Sequence, residues 1–275
     1  MKYLKYNLEE VLHKIKAYRY IFFFLDYDGT LVEFKDDPEQ ALPSEKVKNL
    51  ISELSLKDNI ITTIVSGRTI NNLLRFFKDI DSQKINWVGI HGAQFKYKNS
   101  DITLSDDVKK SIPFIEDLRK QVFGIIKNIP CFNIEDKKVS FAIHYRKCRG
   151  DNLLYLDTII DLIKNFTKNK PIDYLRMKKV IEIKSKNINK GNSLKKIKKR
   201  YSKLNPSINI CIGDDVTDNY LFKSNKEGIN INVGTGYLKE IDTEYFLKNV
   251  GDVHYFLQWI INYYQIHYCS NGVSL

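Results

Sequence analysis

The run Tyr20 to Leu25 is wholly apolar or aromatic and stops at Asp26-Tyr27-Asp28-Gly29-Thr30. A run this short and this apolar reads as a strand buried on both faces, the kind found inside parallel sheets. The same punctuation recurs along the chain. Ile60 to Val65 stops at Ser66-Gly67-Arg68, and Trp87 to Ile90 at His91-Gly92-Ala93. Ile208–Ile212 stops at Gly213-Asp214-Asp215-Val216-Thr217-Asp218, and Ile229–Val233 at Gly234-Thr235-Gly236. Helical spacing fills the gaps. Asn7 and Glu10 look like a capping box ahead of Leu8, Val11, Leu12 and Ile15. Ser44 precedes Val47, Leu50, Ile51 and Leu54; Ile70, Leu73, Leu74 and Phe77 follow, and Val253–Tyr264 closes the chain as a helix before a frayed tail beyond Ser270. This alternation predicts an α/β fold, a Rossmann-like parallel sheet with helices on both faces. Ligands of such sheets sit outside the carboxyl ends of the strands, where all the polar motifs fall.

From about Ser105 the texture changes. A long helical segment (Val108, Ile115, Leu118, Val122, Ile126) contains Pro113, which predicts a kink or a split. Cys131–Ile134 and Val139–Tyr145 read as neighbouring strands, Asp151 to Phe166 as a helix, and Ile172–Met177 with Lys179–Lys184 as a hairpin turning near Lys178. Helix, two strands, helix, two strands is an α+β unit. The expected organisation is a core of residues 1–102 and 184–275 with an insertion over 103–183.

Charge and cysteine usage bound the partners loosely. Of 275 residues, 44 are Lys or Arg and 33 Asp or Glu, so the balance is 44 − 33 = +11. The densest basic stretch, Lys195 to Lys203, places Leu194, Ile197, Tyr201 and Leu204 at helical spacing. It reads as an amphipathic helix with a solvated basic face, so no nucleic-acid partner is expected, while the positive surface would attract anionic metabolites. No apolar run approaches the ~18 residues a membrane helix needs. Lys2, Lys5, Glu9 and Glu10 interrupt any secretory leader, so a cytoplasmic protein with no membrane partner is expected, as a monomer or weak homo-oligomer. Cys131, Cys148, Cys211 and Cys269 are widely spaced and read as buried or free thiols.

The strand ends carry the chemistry. Asp26 and Asp28 at the tip of a buried strand repel one another unless a cation or a proton intervenes. Asp214, Asp215 and Asp218 bring the count to five carboxylates, a hard-oxygen set that suits Mg2+, which keeps waters and takes substrate phosphate as a further ligand. Ser66 and the N–H groups after it can hold phosphate oxygens. Lys190, before Gly191 at a helix start, can neutralise the same phosphate and a carboxylate.

These residues resemble a known family. Asp26-Tyr27-Asp28-Gly29-Thr30-Leu31, Ser66, Lys190 and Gly213-Asp214-Asp215-x-x-Asp218 are similar, in order, to the four motifs of the haloacid dehalogenase superfamily. Adding Ser66-Gly67-Arg68, His91-Gly92-Ala93, Phe141 to Arg146 and Val180 to Lys184 makes the chain resemble the trehalose-6-phosphate phosphatases from about Tyr20 to Thr235. The resemblance implies Mg2+-dependent hydrolysis of a small sugar phosphate. Asp26 would be the nucleophile that forms an aspartyl-phosphate, and Asp28 the group that protonates the leaving sugar oxygen and then activates water. Asp28 would spend part of the cycle protonated, which carboxylate neighbours would favour. The metal would be held by the Asp26 carboxylate, the Asp28 carbonyl and Asp214, with Asp215 and Asp218 as further ligands or behind them. Ser66 and Lys190 would bind the phosphoryl group. By motif position, Glu135, Lys137, Arg146 and Glu182 of the insertion would read the sugar, with Arg68 and Gly92 at the entrance. His144 and Tyr145 alternate, so one of them enters the core of the insertion. The insertion would close as a cap that excludes water.

The sequence departs from the family in places. Asn219 stands where an acid commonly follows the fourth motif, and Ser185 where a Pro often follows Val180–Lys184. No synthase segment of the kind some relatives carry accompanies the motifs, so a free-standing phosphatase is expected. The rival readings are a capped phosphatase for sucrose phosphate or a glycosylglycerate phosphate, a catalytically silent sugar-phosphate sensor, and a nucleic-acid binder using the basic helix.

Overall fold

The computed structural model describes residues 1–35, 37–177, 179–234 and 243–269. It divides into two compact units, residues 1–103 with 189–275, and residues 104–188. The tail beyond 270, the Thr235-Gly236 end of one motif and the expected turn at Lys178 lie outside the described residues.

The first unit is built on a nine-stranded sheet. Its strands are β1 (Lys2–Tyr3), β2 (Tyr20–Leu25), β3 (Ile60–Val65), β4 (Asn86–Gly89), β5 (Gln94–Lys96) and β6 (Thr103–Leu104), and, after the insertion, β11 (Ser207–Gly213), β12 (Ile229–Val233) and β13 (Tyr245–Leu247). The order is β1-β13-β12-β11-β2-β3-β4-β5-β6, parallel from β1 to β4 and antiparallel between β4 and β5.

Strand β2 is apolar throughout because each face meets a helical layer. Ile21, Phe23 and Leu25 join a core with α1 (Leu8–Ile15), α2 (Glu45–Ser55), α3 (Ile70–Phe76) and α8 (Val250–Cys269). Phe22 and Phe24 join a second core with Leu194 and Ile197 of α6 (Lys190–Arg200) and Leu221 and Phe222 of α7 (Asn219–Ser224). Both sets are excluded from water, so removing any one ring would cost about 3–5 kcal/mol.

Helix starts follow local chemistry. The Ser44 hydroxyl accepts from the Val47 N–H at 3.4 Å as the N-cap of α2. Asn7 does not make the expected capping box. Its amide donates back to the Tyr3 carbonyl at 2.7 Å, because a 3-10 turn over Leu4–Tyr6 delivers the chain to α1.

The basic helix spends much of its charge on aromatic faces. Lys198 Nζ lies 3.9 Å from the Phe22 ring centroid and donates to Ser207 Oγ; Lys196 covers Phe95, and Arg200 covers Tyr97. Burial pulls the Lys198 ammonium below the usual lysine range.

The second unit is a four-stranded antiparallel sheet in the order β7-β8-β10-β9, with β7 (Asn133–Asp136), β8 (Phe141–His144), β9 (Ile172–Met177) and β10 (Val180–Ser185). Helices α4 (Asp106–Ile126) and α5 (Leu154–Thr167) pack on the face made by Phe141, Ile143, Ile181 and Ile183. Pro113 neither splits α4 nor ends it; by helical geometry it removes one backbone bond, to the Lys109 carbonyl. Ser185 ends β10 with its hydroxyl 2.9 Å from that of Ser111 on α4, so residues 184–188 lie in this unit, beyond the end expected at 183.

The cysteine reading needs correction. Cys131 and Cys148 form a disulfide, with Cα atoms 4.9 Å apart, because the segment before β7 and the turn after β8 meet at one sheet end. Cys211 is free and buried. Among the described residues no helix is long and apolar enough to cross a membrane.

The disulfide closes a loop whose ends are 17 residues apart and carries about 3 kcal/mol by loop-closure entropy. A dithiol reductant, or Cys131→Ser with Cys148→Ser, is expected to lower the thermal midpoint; an unchanged midpoint in calorimetry would contradict it.

Candidate active site

Parallel register builds the site. Ile212 pairs with Leu25, so the residues just past the ends of β2 and β11 emerge side by side. Asp26 extends the ladder by one bond, its N–H donating to the Ile212 carbonyl at 3.0 Å. Its side chain is 7% exposed. Gly29, at φ +78°, lets the next turn double back, and a Cβ there would lie 2.1 Å from the Asp214 carboxylate. Thr30 Oγ1 donates to Asp214 Oδ1 at 3.2 Å.

Lys190 opens α6, which Asn189 caps by accepting from the Asn192 N–H at 2.8 Å. Its ammonium is 2% exposed and donates to Asp26 Oδ1 at 2.6 Å and Asp218 Oδ1 at 2.7 Å. The other Asp218 oxygen accepts from the Asp215 N–H at 3.1 Å. Each Asp218 oxygen thus already accepts one hydrogen bond, and since a carboxylate oxygen has a further lone pair, Asp26, Asp214 and Asp218 all keep acceptor capacity for a ligand.

Asp26, Asp214 and Asp218 offer ligand atoms all within 4.8 Å of one another. Burial pushes the Asp26 carboxyl well above the usual carboxylate range; Lys190 resists this, and Asp218 and Asp214 add to it. Burial likewise pushes Asp214 up to about 6. Burial works against the Lys190 charge, but Asp218 and Asp26 outweigh it and leave the ammonium harder to deprotonate. Carboxylates that resist ionising together are what a divalent ion relieves, so these residues fit a metal.

The set is smaller than the five acids expected. Asp28 turns its carboxylate to Arg68, which donates from Nε at 2.7 Å and from Nη2 at 2.6 Å. Asp28 therefore faces a guanidinium and not other carboxylates. Asp215 is exposed and accepts from the Val216 N–H, because a 3-10 turn over Val216–Asp218 rotates Asp218 inward and Asp215 outward.

The remaining core residues divide. Ser66 ends β3, buried, with its N–H on the Val88 carbonyl at 2.9 Å and its Oγ accepting from the Arg68 N–H at 3.1 Å. Arg68 is committed to Asp28 and not free at an entrance. Gly92 is buried, and a Cβ there would meet Ser193 Oγ at 2.3 Å, so it seats its turn against α6.

In the second unit Glu135, Ala142 and Glu182 are in register on three adjacent strands, on the sheet face away from the helices. Glu182 is buried and accepts from Lys137 Nζ at 3.3 Å. Glu135 Oε2 pairs with His144 Nε2 at 3.0 Å. Tyr145 is the member of its pair that enters the core. Arg146 is exposed in the turn after β8. Sequence reasoning missed the His144–Glu135 pair, which the alternation along β8 could have signalled.

This fold, with a small acid-rich site at its strand ends, is that of the haloacid dehalogenase-like hydrolases. One from Bacteroides thetaiotaomicron superposes with a TM-score of 0.61 at 14% identity, covering 88% of this chain and 99% of that one. The C-terminal domain of trehalose-6-phosphate phosphatase from Candida albicans superposes with a TM-score of 0.76 at 23% identity, covering 94% and 98%. The Arabidopsis thaliana protein described as probable trehalose-phosphate phosphatase E is 30% identical over 272 residues, 94% of this chain and 74% of that protein. The profile of the trehalose-phosphatase family matches residues 24–250, across both units, and the chain belongs to that family. It is a phosphoric monoester hydrolase of trehalose biosynthesis.

Lys190→Met would strand two buried carboxylates and is expected to cost roughly 3–5 kcal/mol of unfolding free energy in urea. Adding Asp218→Asn should return part of that loss. Unchanged stability in the single variant would mean that the ammonium does not hold the site together.

Proposed function

We propose that the chain hydrolyses trehalose 6-phosphate to trehalose and phosphate through a phosphorylated Asp26. The observation that carries this reading is the meeting of Asp26, Asp214 and Asp218 round Lys190, inside the span that matches the family. The Asp26 carboxylate attacks phosphorus and the bond from phosphorus to the sugar oxygen breaks, while Asp28 gives that oxygen its proton. Water then attacks the phosphoaspartate, Asp28 takes back a proton, and inorganic phosphate leaves with the Asp26 carboxylate restored. Ser66 and Lys190 hold the phosphoryl oxygens. Asp26, Asp214 and the Asp28 carbonyl would hold Mg2+, with Asp218 supporting them through Lys190. When bound, Mg2+ supplies charge neutralisation for the phosphoryl group. This division of labour suits phosphoryl transfer, which depends on positioning and electrostatics.

Glu182, Glu135, Lys137 and Arg146 are assigned to the sugar. A trehalose unit presents hydroxyls all round, which carboxylates accept from and cationic groups donate to. The face carrying Glu135 and Glu182 has both kinds of group, already paired with each other.

Asp26→Asn should abolish phosphate release and the covalent intermediate; turnover near wild type would rule the mechanism out. EDTA should stop turnover and added Mg2+ restore it, whereas activity in metal-free buffer would refute the metal assignment. Glu182→Ala should raise KM for trehalose 6-phosphate about tenfold or more, the worth of a charged hydrogen bond, and leave a small aryl phosphate nearly unaffected. An equal loss on both substrates would mean that Glu182 does not read the sugar.

A further inference from the structure

Arg68 is held on every side. Its Nε and Nη2 donate to the two oxygens of Asp28, and its Nη1 donates to the Pro38 carbonyl at 2.8 Å. The guanidinium carbon lies 5.3 Å from the Tyr27 ring centroid and 5.2 Å from that of Phe76. Tyr27 is itself buried and anchored by its hydroxyl on the Ala41 carbonyl at 2.7 Å. The backbone is fixed as well. The Arg68 carbonyl accepts from the Ile90 N–H, and the Ser66 carbonyl from the His91 N–H, both at 2.9 Å. Ile90, His91 and Gly92 all have positive φ, at 48°, 53° and 111°. Left-handed backbone at a non-glycine residue persists only where its surroundings impose it, and here two such residues aim their N–H groups at the loop that carries Arg68.

The side chain of Arg68 is 9% exposed and that of Asp28 28%. A planar fork on both oxygens of a carboxylate allows one orientation of that carboxylate, unlike a single contact from an ammonium. Asp28 follows Asp26 by two residues on a half-buried turn, and the fork from Arg68 is what fixes the rotation of its partly exposed carboxylate.

We propose that Arg68 is the positioning residue for Asp28: it sets where the carboxyl stands, and so whether a proton can be delivered to the leaving oxygen. This rests on the assignment of Asp28 as the acid in the reaction above. Proton delivery demands hydrogen-bond reach, so a carboxyl that wanders loses the step even when its chemistry is intact. The cost falls where the leaving group is a basic sugar alkoxide. It spares a leaving group that departs without a proton, such as 4-nitrophenolate.

The test compares Arg68→Gln and Arg68→Lys with wild type in the first turnover, with Mg2+ present. Quenched-flow reads trehalose released from trehalose 6-phosphate, and stopped-flow reads 4-nitrophenol released from 4-nitrophenyl phosphate. Both variants are expected to slow trehalose release about a hundredfold, the scale of general acid catalysis, with KM changed less than about threefold and the nitrophenol burst slowed less than about threefold. Because Arg68 acts through Asp28, Asp28→Asn with Arg68→Gln should release trehalose no more slowly than Asp28→Asn alone. Equal slowing of both substrates, a raised KM with trehalose release at the wild-type rate, or additive losses in the double variant would each overturn the proposal. If wild-type protein hydrolyses aryl phosphates but not trehalose 6-phosphate, the substrate reading fails on its own. The Arg68→Gln loss must then grow with the basicity of the leaving phenol, and a flat dependence overturns the positioning role.

Discussion

Lys190 keeps a full positive charge where almost no water reaches it, 2.6 Å from Asp26 and 2.7 Å from Asp218. Taking these three ions out of water costs several kcal/mol each, and only close mutual contact with further hydrogen bonds offsets it. The further bonds are present: the Asp215 N–H closes the second oxygen of Asp218. The ammonium therefore binds three separated stretches of chain, the end of β2, the turn after β11 and the start of α6, into one site. Gly213 and Gly191 make room for this. A Cβ on Gly213 would lie 2.2 Å from the Asp218 carboxyl carbon, and one on Gly191 2.1 Å from the Tyr220 carbonyl oxygen.

Around that ammonium the charges do not balance. Asp26, Asp214 and Asp218 against Lys190 give −3 + 1 = −2 when all are ionised. Burial, with the neighbouring carboxylates adding to it, pushes both Asp26 and Asp214 toward protonation. A dication would cancel it, and a site so neutralised could then accept a phosphate dianion. The chain's overall excess of +11 is no substitute, since it is spread over the surface and part of it lies on the aromatic faces under α6.

The central strands were legible because burial on two faces leaves no room for polar residues, as Ile21, Phe23 and Leu25 on one side and Phe22 and Phe24 on the other make plain. The motifs were legible because parallel strands end together. What escaped depends on contacts between distant positions or on a local rotation. Arg68 and Asp28 lie 40 residues apart, and only the folded turns bring them face to face. Asp215 and Asp218 are equivalent as letters, and the 3-10 turn between them decides which faces inward. Four scattered cysteines give no hint that the segments flanking β7 and β8 meet at Cys131 and Cys148. Strand β7, expected at Cys131–Ile134, lies two residues later because Asn-Ile-Glu-Asp has one apolar residue to mark it and takes its register from pairing with β8.

The two carboxylates of the first motif share a turn but meet opposite environments, and this separation follows from the fold. Asp26 is drawn inward by its ladder bond and by Lys190, into a place where burial works against its charge. Asp28 is drawn outward by Arg68 to a place partly open to water. In the proposed reaction Asp26 would act ionised and close to phosphorus, whereas Asp28 would have to reach both the leaving oxygen and the attacking water. One strand end could not give two adjacent acids such different surroundings unaided. The cations that do so come from elsewhere, Lys190 from the helix after the insertion and Arg68 from the loop after β3, so the chemistry of the first motif is set by residues outside it.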